Sequence, residues 1–300
     1  MIKPEVLPPS EHAPASGLKR RWLLNAALLA LVSGLVVVVL FLPGQKKPTP
    51  GPPLTTVAAE SVSRVRIEKP EQSGIVLEKT GSHWTLTVPL KARANRFNVE
   101  RLLRVLTAPG DTRFPAASVE LSQFGLDKPV ARVWFDDQEI DFGTLHPLKN
   151  QVYVLYHNEV VLIPSHYLAG PMYSYTNFID SGLFDDGLKL TAIKLPDFML
   201  TLKGGVWQRQ PEDKQLTSDR VNDFAAEWQN ARALTVDKYS GKEAIGEVEI
   251  TAMRDDKTEK LKLGILAYKP DFVLHRPDED LEYHFTEDTG KRLLNLTSKE

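Results

Sequence analysis

Residues 81–106 read GSHWTLTVPLKARANRFNVERLLRVL, and residues 204–228 read GGVWQRQPEDKQLTSDRVNDFAAEW. Each stretch runs from a glycine turn to a tryptophan and then to a segment with apolar residues at i, i+3, i+4 and i+7. The residues at these positions are Val99, Leu102, Leu103 and Leu106 in the first stretch, and Val221, Phe224, Ala225 and Trp228 in the second. That spacing lines one face of an α-helix. The two faces are offset by 122 residues, which predicts a duplicated module.

Short alternating apolar runs separated by turn residues surround both helices. Two strand-like runs precede each helix, at 62–67 and 75–79 in the first repeat and at 190–195 and 198–203 in the second. Further runs follow each helix, separated by turn pairs such as Asp136-Asp137 and His157-Asn158. This pattern is typical of antiparallel hairpins. The predicted fold class is α+β, and each repeat combines an antiparallel sheet with one main amphipathic helix.

An uncharged stretch of 21 residues, 22–42, follows the basic residues Lys19, Arg20 and Arg21. A helix of this length crosses the roughly 30 Å apolar core of a bilayer, so the stretch predicts a single N-terminal transmembrane helix. The excess of basic residues before it predicts that the N-terminal tail is cytoplasmic and the C-terminal part periplasmic. The predicted parts of the chain are the tail 1–21, the helix 22–42, a Pro-rich linker 43–58, a first module 59–180 and a second module 181–300.

The amino-acid composition and the motifs that the sequence lacks limit the functions that the protein could have. A net charge of −2 gives no general reason to bind nucleic acid. The absence of cysteine excludes disulfides, thiolate nucleophiles and zinc–cysteine sites, and it fits a periplasmic location. The sequence also contains no phosphate-binding loop, metalloprotease helix, nucleophile elbow or dinucleotide fingerprint. We therefore expect a protein without cofactor, metal or catalytic residues.

A run of basic residues is the main candidate binding site. Between residues 90 and 105 only Glu100 interrupts it, and its members are Lys91, Arg93, Arg96, Arg101 and Arg104. Cations gathered on one surface would bind an anionic headgroup, a phosphorylated glycan or an acidic partner. The alternative is that they form the solvated face of the amphipathic helix. The sequence leaves both interpretations open.

The apolar stretch carries a second candidate interface. Ala26, Ala30 and Gly34 lie at i, i+4 and i+8, so a helix would present them as one stripe of small residues. Such a stripe lets another membrane helix approach closely. It predicts contact with a membrane protein partner, although alanine is common enough in such helices for the pattern to arise by chance.

Three further sets of residues have a functional and a structural interpretation. His146, His157 and His166 lie within 21 residues, but their predicted positions in separate turns favour surface histidines over a metal site. Acidic doublets such as Asp136-Asp137 lack the spacing of a calcium loop and are typical of turns. Trp84, Trp207 and Trp228 would stack sugars if exposed, but their repeat-related positions favour core packing.

The order of these landmarks resembles a known family. Glycine-x-x-tryptophan, a capped helix, FGLDKP at 124–129 and IDFG at 140–143 occur in that order. Residues 60–296 resemble bacterial membrane-anchored repeat proteins that are classified only as a domain of unknown function. Many members are encoded beside ABC-type exporters of the gliding-motility kind. The resemblance implies a location at the bacterial inner membrane, in contact with its lipid, and subunits of an ABC transporter as partners. It implies no catalytic residue.

The leading hypothesis is a periplasm-facing accessory or scaffold protein of a transport complex, without catalytic activity. Two alternatives remain open. One is a membrane-tethered hydrolase of envelope material, which would need a polar cleft with paired carboxylates or a serine and a histidine in contact. The other is an envelope structural protein that binds glycan or lipid through exposed aromatic side chains and a continuous basic surface.

Overall fold

The computed structural model describes residues 16–41, 51–185 and 187–297 of the chain. The chain divides into two compact units, residues 1–50 and 51–300. Most of the predicted cytoplasmic tail, the first half of the predicted linker 43–58, and Asp186 lie outside the described residues. The described end of the linker is part of the second unit, because Leu54 and Thr55 donate backbone hydrogen bonds to Ala108 and Leu106.

The described part of the first unit, residues 16–41, is one helix, α1 (Ser16–Phe41). Its side chains are described from residue 21 to residue 37 and are exposed. A transmembrane helix needs about 20 consecutive, predominantly apolar residues. Among the described residues no helix is long and apolar enough to cross a membrane. The prediction of a transmembrane helix at 22–42 is therefore wrong, and the observed fold does not include one.

The second unit begins with an antiparallel sheet of nine strands. In chain order these are β1 (Arg64–Glu68), β2 (Ile75–Thr80), β3 (His83–Val88), β4 (Ala92–Arg93), β5 (Thr112–Pro115), β6 (Ala131–Phe135), β7 (Gln138–Leu145), β8 (Gln151–Tyr156) and β9 (Glu159–Pro164). Their spatial order is β4-β3-β2-β1-β6-β7-β8-β9-β5. Two helices accompany this sheet, α2 (Arg96–Leu103) and α3 (Ala169–Met172).

A second antiparallel sheet follows, with eight strands. They are β10 (Lys189–Lys194), β11 (Met199–Lys203), β12 (Val206–Gln210), β13 (Thr235–Lys238), β14 (Gly246–Arg254), β15 (Lys257–Ala267), β16 (Asp271–Arg276) and β17 (Leu281–Thr286). Their spatial order is β12-β11-β10-β14-β15-β16-β17-β13. The helices of this half are α4 (Ser218–Gln229) and α5 (Glu287–Leu294). Six short 3-10 helices complete the described chain, at Ala59–Ser61, Arg104–Thr107, Ala116–Ser118, Leu121–Phe124, Ser165–Leu168 and Tyr175–Phe178.

The two sheets have the same strand order. If β4 is left out, each strand of the first sheet has a counterpart at the same place in the second, from β3 and β12 at one edge to β5 and β13 at the other. The predicted α+β class is nevertheless wrong, both in the share of helix relative to sheet and in the transmembrane helix that it included. The described residues form 17 strands and five α-helices, so the fold is mainly two antiparallel sheets.

Hairpin turns connect neighbouring strands where the sequence places Asp, Asn, His or Gly pairs. Asp136 and His157 adopt φ of 51° at the β6–β7 and β8–β9 turns, and Asp255 and Asp256 adopt φ of 46° and 61° at the β14–β15 turn. Aspartate and asparagine tolerate this left-handed conformation better than other residues with a Cβ. The acidic doublets 136–137 and 255–256 are thus turn residues.

The helix caps differ from those that the sequence suggests. Asn98 lies one residue before the apolar face that begins at Val99, and Ser218 lies three residues before the face that begins at Val221, which predicts both as N-caps. The observed caps are Asn95 and Thr217, which accept hydrogen bonds from the backbone N–H groups of Asn98 and Arg220. Each helix therefore includes three residues before its first buried position, Val99 in α2 and Val221 in α4. The two observed caps are again offset by 122 residues.

One continuous apolar cluster supports both sheets. It contains inward-facing side chains of the first sheet, such as Val133 and Phe135, and of the second, such as Leu274 and Phe285, all nearly inaccessible to solvent. The apolar face of α4 joins it, including Trp228, whose Nε1 donates to the carbonyl of Leu293 at 2.8 Å. Residues 51–297 thus fold around a shared core.

The two halves of the family-like motif are in contact with each other. Gly125, in FGLDKP, ends a 3-10 helix with φ of 65°, a conformation that glycine adopts without strain. Gly143, in IDFG, passes so close to this turn that a Cβ atom would lie 2.2 Å from the carbonyl oxygen of Phe124. The glycine at 143 therefore permits a close approach of two backbone segments.

We expect Gly143→Ala to lower the free energy of unfolding by about 2–3 kcal/mol, because the added methyl group would force β7 away from the turn. Gly187→Ala is the matched control, since nothing lies within 4 Å of its Cβ position, and it should change stability by no more than about 0.5 kcal/mol. Urea unfolding followed by circular dichroism measures both values. Equal midpoints for the two variants would contradict the close approach.

Candidate functional site

Charged side chains from both repeats meet in one half-buried cluster, which we call the charged joint. It lies where the connection between the sheets, residues 180–185, passes β4 of the first repeat and the β16–β17 turn of the second. Its members are Arg93, Asp180, Asp185, Arg254, Arg276, Glu279 and Tyr283.

Arg93 is the centre of the charged joint. Its Nε lies 2.8 Å from Glu279 Oε1 and 3.0 Å from Asp185 Oδ1, and its Nη1 lies 3.3 Å from Asp180 Oδ2. Its Nη2 donates to the carbonyl of Gly182 at 2.6 Å and to the hydroxyl of Tyr283 at 3.0 Å. All three guanidinium nitrogens therefore bind groups outside the first sheet.

The second repeat contributes a more deeply buried cation. Arg276 is only 4% exposed, and its Nη1 donates to the carbonyl of Leu183 at 2.6 Å. The same nitrogen lies 3.3 Å from Glu279 Oε1, and Nη2 lies 3.0 Å from Asp278 Oδ2. Tyr283, also buried, donates its hydroxyl hydrogen to Glu279. Glu279 thus receives contacts from both arginines and from the tyrosine.

The environment of the joint favours the charged forms of its arginines and of Asp185, and the neutral form of Tyr283. Burial opposes the charge of Arg93, but the neighbouring carboxylates of Glu279 and Asp185 outweigh it and raise the guanidinium pKa. Burial also raises the pKa of the Tyr283 hydroxyl, so the hydroxyl stays protonated. For Asp185, burial acts against ionisation, whereas the hydrogen bond from Arg254 and the charge of Arg93 lower the carboxyl pKa below its ordinary value. Asp185 therefore faces Arg93 and Arg254 as an ionised acid.

The side chains of the five predicted basic residues contact different neighbours, and their role as an anion or partner site stays a prediction. Arg93 turns into the charged joint, Arg96 Nε lies 2.6 Å from Glu100 Oε1, and Arg101 Nη1 donates to the Tyr173 hydroxyl at 2.7 Å. Lys91 and Arg104 are exposed. Two members of the run are thus paired along or beside α2, and one links the repeats.

The other predicted site residues lie apart from the joint. Ala26, Ala30 and Gly34 are exposed on α1, and nothing lies within 4 Å of a Cβ built on Gly34. The predicted helix interface is therefore an accessible stripe, and its role stays a prediction.

The three histidines are separated in the structure. His146 Nδ1 accepts the backbone N–H groups of Leu148 and Lys149, His157 lies in the β8–β9 turn, and His166 lies in a 3-10 helix. Among the residues that the structure describes, no group of three or more histidine and acidic side chains could hold a metal ion.

The tryptophans divide between core and surface. Trp228 is fully buried, while Trp84 and Trp207 are half-buried against the core.

Trp134, which no sequence pattern singled out, lies on the outer face of the first sheet. The guanidinium of Arg66 stacks over it, with its carbon 3.7 Å from the ring centre. This pair lines an open cavity of about 420 Å³ together with Ser63, Arg64, Asp136 and Asp137. A second cavity, of about 330 Å³, borders the charged joint, because Asp185 of the joint and the nearby Arg232 both line it.

Replacing the centre of the joint tests its contribution. We expect Arg93→Ala to lower the free energy of unfolding by about 2–3 kcal/mol, because three half-buried carboxylates would each lose one of their two arginine partners. Arg96→Ala removes an arginine that is 81% exposed from the same segment and should cost about 0.5 kcal/mol or less. Guanidinium chloride unfolding of both variants measures the difference. Equal losses would mean that Arg93 acts as an ordinary surface charge.

Comparison with known proteins identifies the family. The family described as a domain of unknown function (DUF4340) matches residues 84–265, from β3 of the first sheet to β15 of the second. The match includes Arg93, Asp180, Asp185 and Arg254 of the charged joint. No curated protein and no solved structure matches the chain. Because the match covers more than half of its length, this chain belongs to the DUF4340 family.

Proposed function

We propose that this protein is a non-catalytic accessory or scaffold protein that binds a protein partner, and that the partner is a subunit of an ABC-type exporter of the gliding-motility kind. The choice of partner rests on the family resemblance described above. The predicted periplasmic location of residues 59–300 belongs to the same proposal.

The charged joint is the observation that carries the non-catalytic part of this proposal. Strongly perturbed ionisable groups mark either a reactive site or a structural ion network. Here Arg93, Glu279 and Tyr283 contact one another, and further bonds from Arg93 and Arg276 end on backbone carbonyls of Gly182 and Leu183. Groups that satisfy each other in this way hold structural elements together and have little capacity left for a substrate.

The consequence of the joint supports a scaffold. A connection between two sheets that rested only on a loop would leave them free to reorient, whereas ion pairs between both sheets and the connection oppose such motion. The apolar core shared by the two sheets acts in the same direction. A body of this kind presents a surface of fixed shape, which lowers the conformational entropy cost of binding a partner.

The experiment is affinity purification of the full-length chain from native membranes in mild detergent, followed by identification of the recovered proteins. We expect subunits of an ABC-type exporter to be enriched over a tag-only control. A chain in which residues 22–42 are replaced by an unrelated apolar helix should recover the same subunits, because the proposal places the contact on residues 51–300.

Two results would contradict the proposal. The first is that no exporter subunit is enriched with either chain. The second is that the purified chain cleaves isolated envelope polymers and loses that activity in a defined carboxylate variant, which would favour the hydrolase alternative.

A further inference from the structure

One edge of the second sheet is open where the matching edge of the first sheet is covered. In the first sheet β4 adds to β3, with Ala92 opposite Leu86 and Arg93 opposite Thr85. Ala94 extends this pairing by donating its N–H to the carbonyl of Trp84 at 3.0 Å. In the second sheet the counterpart of β3 is β12, which is the last strand of its sheet. Within the described residues no strand or bridge pairs with its outer edge.

The difference arises in two connecting segments of equal length. Residues 89–95 (PLKARAN) join β3 to α2, and residues 211–217 (PEDKQLT) join β12 to α4. In the second segment the Asp213 carboxylate accepts the N–H of Gln215 at 3.0 Å, and the Asp213 carbonyl accepts the N–H of Leu216 at 3.2 Å. Aspartate forms such turns readily. The second segment therefore closes on itself and does not pair with the sheet.

The alternation of an antiparallel pair identifies which backbone groups of β12 are free. The two-residue turn Gly204–Gly205 pairs Lys203 with Val206, so bonded and non-bonded pairs alternate from there along β11 and β12. The N–H and C=O groups of Trp207 and Arg209 point to the outer edge. This agrees with the first sheet, where the carbonyl of Trp84, the counterpart of Trp207, accepts from Ala94.

Arg209 shows what chemistry the missing strand would need. Its guanidinium lies over the ring of Phe198, 4.8 Å from the ring centre, and its Nη1 donates to the carbonyl of Pro211. Its Nε is buried and has no hydrogen-bond partner. A buried donor without a partner destabilises a protein, and a carboxylate is the strongest acceptor for a guanidinium. In the first sheet the corresponding position is occupied by Leu86, which needs no such partner.

We propose that the outer edge of β12 binds an extended segment of a protein partner, antiparallel to β12, with an Asp or Glu side chain opposite Arg209. The partner strand would occupy the place that Ala92–Ala94 occupy beside β3. Main-chain hydrogen bonds to Trp207 and Arg209 supply affinity, and the carboxylate supplies selectivity. This proposal rests on the proposed function and assigns the place and chemistry of the contact.

The probe is a heptapeptide that copies residues 89–95 with Ala92→Asp, Pro-Leu-Lys-Asp-Arg-Ala-Asn. In the first sheet Ala92 of β4 pairs with Leu86 of β3, and Arg209 is the counterpart of Leu86 in β12. A peptide that binds β12 in the same register therefore has its aspartate opposite Arg209. A peptide with lysine at the same position is the matched control. With the full-length chain, we expect the aspartate peptide to bind at least about tenfold more tightly than the lysine peptide. We also expect it to slow hydrogen exchange at the amides of Trp207 and Arg209.

Variants separate Arg209 from general charge effects. Arg209→Gln should remove the preference for aspartate, while Arg209→Lys should retain part of it. Arg64→Gln, which removes an exposed arginine on the first sheet, should leave the preference unchanged. Equal affinity of the wild-type chain for both peptides would overturn the proposal without any variant. So would protection of the two amides on concentration of the chain alone, since the edge would then bind a second copy.

The same variants distinguish this proposal from the proposed function. If Arg209→Glu recovers exporter subunits as well as the wild-type chain does, the β12 edge is not the contact, although the proposed function stands. If the wild-type chain recovers none but binds the aspartate peptide selectively, the edge proposal stands and the choice of partner fails.

Discussion

The arrangement of residues 51–297 depends on the ion pairs that Arg93, a residue of β4, forms with the carboxylates of the charged joint. β4 has only two residues, yet its pairing with β3 completes one edge of the first sheet and directs the Arg93 side chain out of that sheet. There the guanidinium meets Asp180 and Asp185 of the connection and Glu279 of the second sheet. The single strand β4 therefore covers the edge of β3 and also links the first repeat to the second through Arg93.

The asymmetry between the repeats follows from the same segment. Residues 89–95 and 211–217 have equal length and end at equivalent helix caps, Asn95 and Thr217. The first forms a strand that carries the arginine, and the second forms an aspartate turn and has glutamine at the position that corresponds to Arg93. One repeat thus uses this edge of its sheet for internal attachment, while in the other, within the described residues, no strand pairs with the outer edge of β12. Duplication followed by divergence of this short segment would account for the difference between the two repeats at this edge.

Local patterns in the sequence were sufficient for much of the fold. The spacing of Val99 and Leu102 identified the buried face of α2, and Asp136 and His157 identified hairpin turns, because these features depend on residues a few positions apart. Helix and sheet were weighted wrongly, since short polar strands such as β4 and β13 give almost no periodic signal. The apolar stretch 22–42 predicts a transmembrane helix, whereas the described residues contain no helix that is long and apolar enough to cross a membrane.

The charged joint was beyond local patterns. Arg93 lay in a run of basic residues that looked uniform, and its acidic partners are 87 and 186 positions away. One signal was present but not used. Phe272, Leu274 and Arg276 lie two positions apart along β16, and successive side chains of a strand point to opposite faces. The sequence therefore places a cation on the same face as two buried apolar residues. A charge in such a position requires an opposite charge nearby, but the sequence alone does not identify it.

Native-state hydrogen exchange is the measurement that tests most directly whether the joint and the core make residues 51–297 one cooperative body. The slowest amides of β6, such as Val133, and of β15, such as Leu263, report on the two sheets separately. The account predicts the same opening free energy for both sets, within about 0.5 kcal/mol, because neither sheet opens without the other. A second sheet that exchanges through its own opening at clearly lower free energy, while the first stays protected, would contradict it.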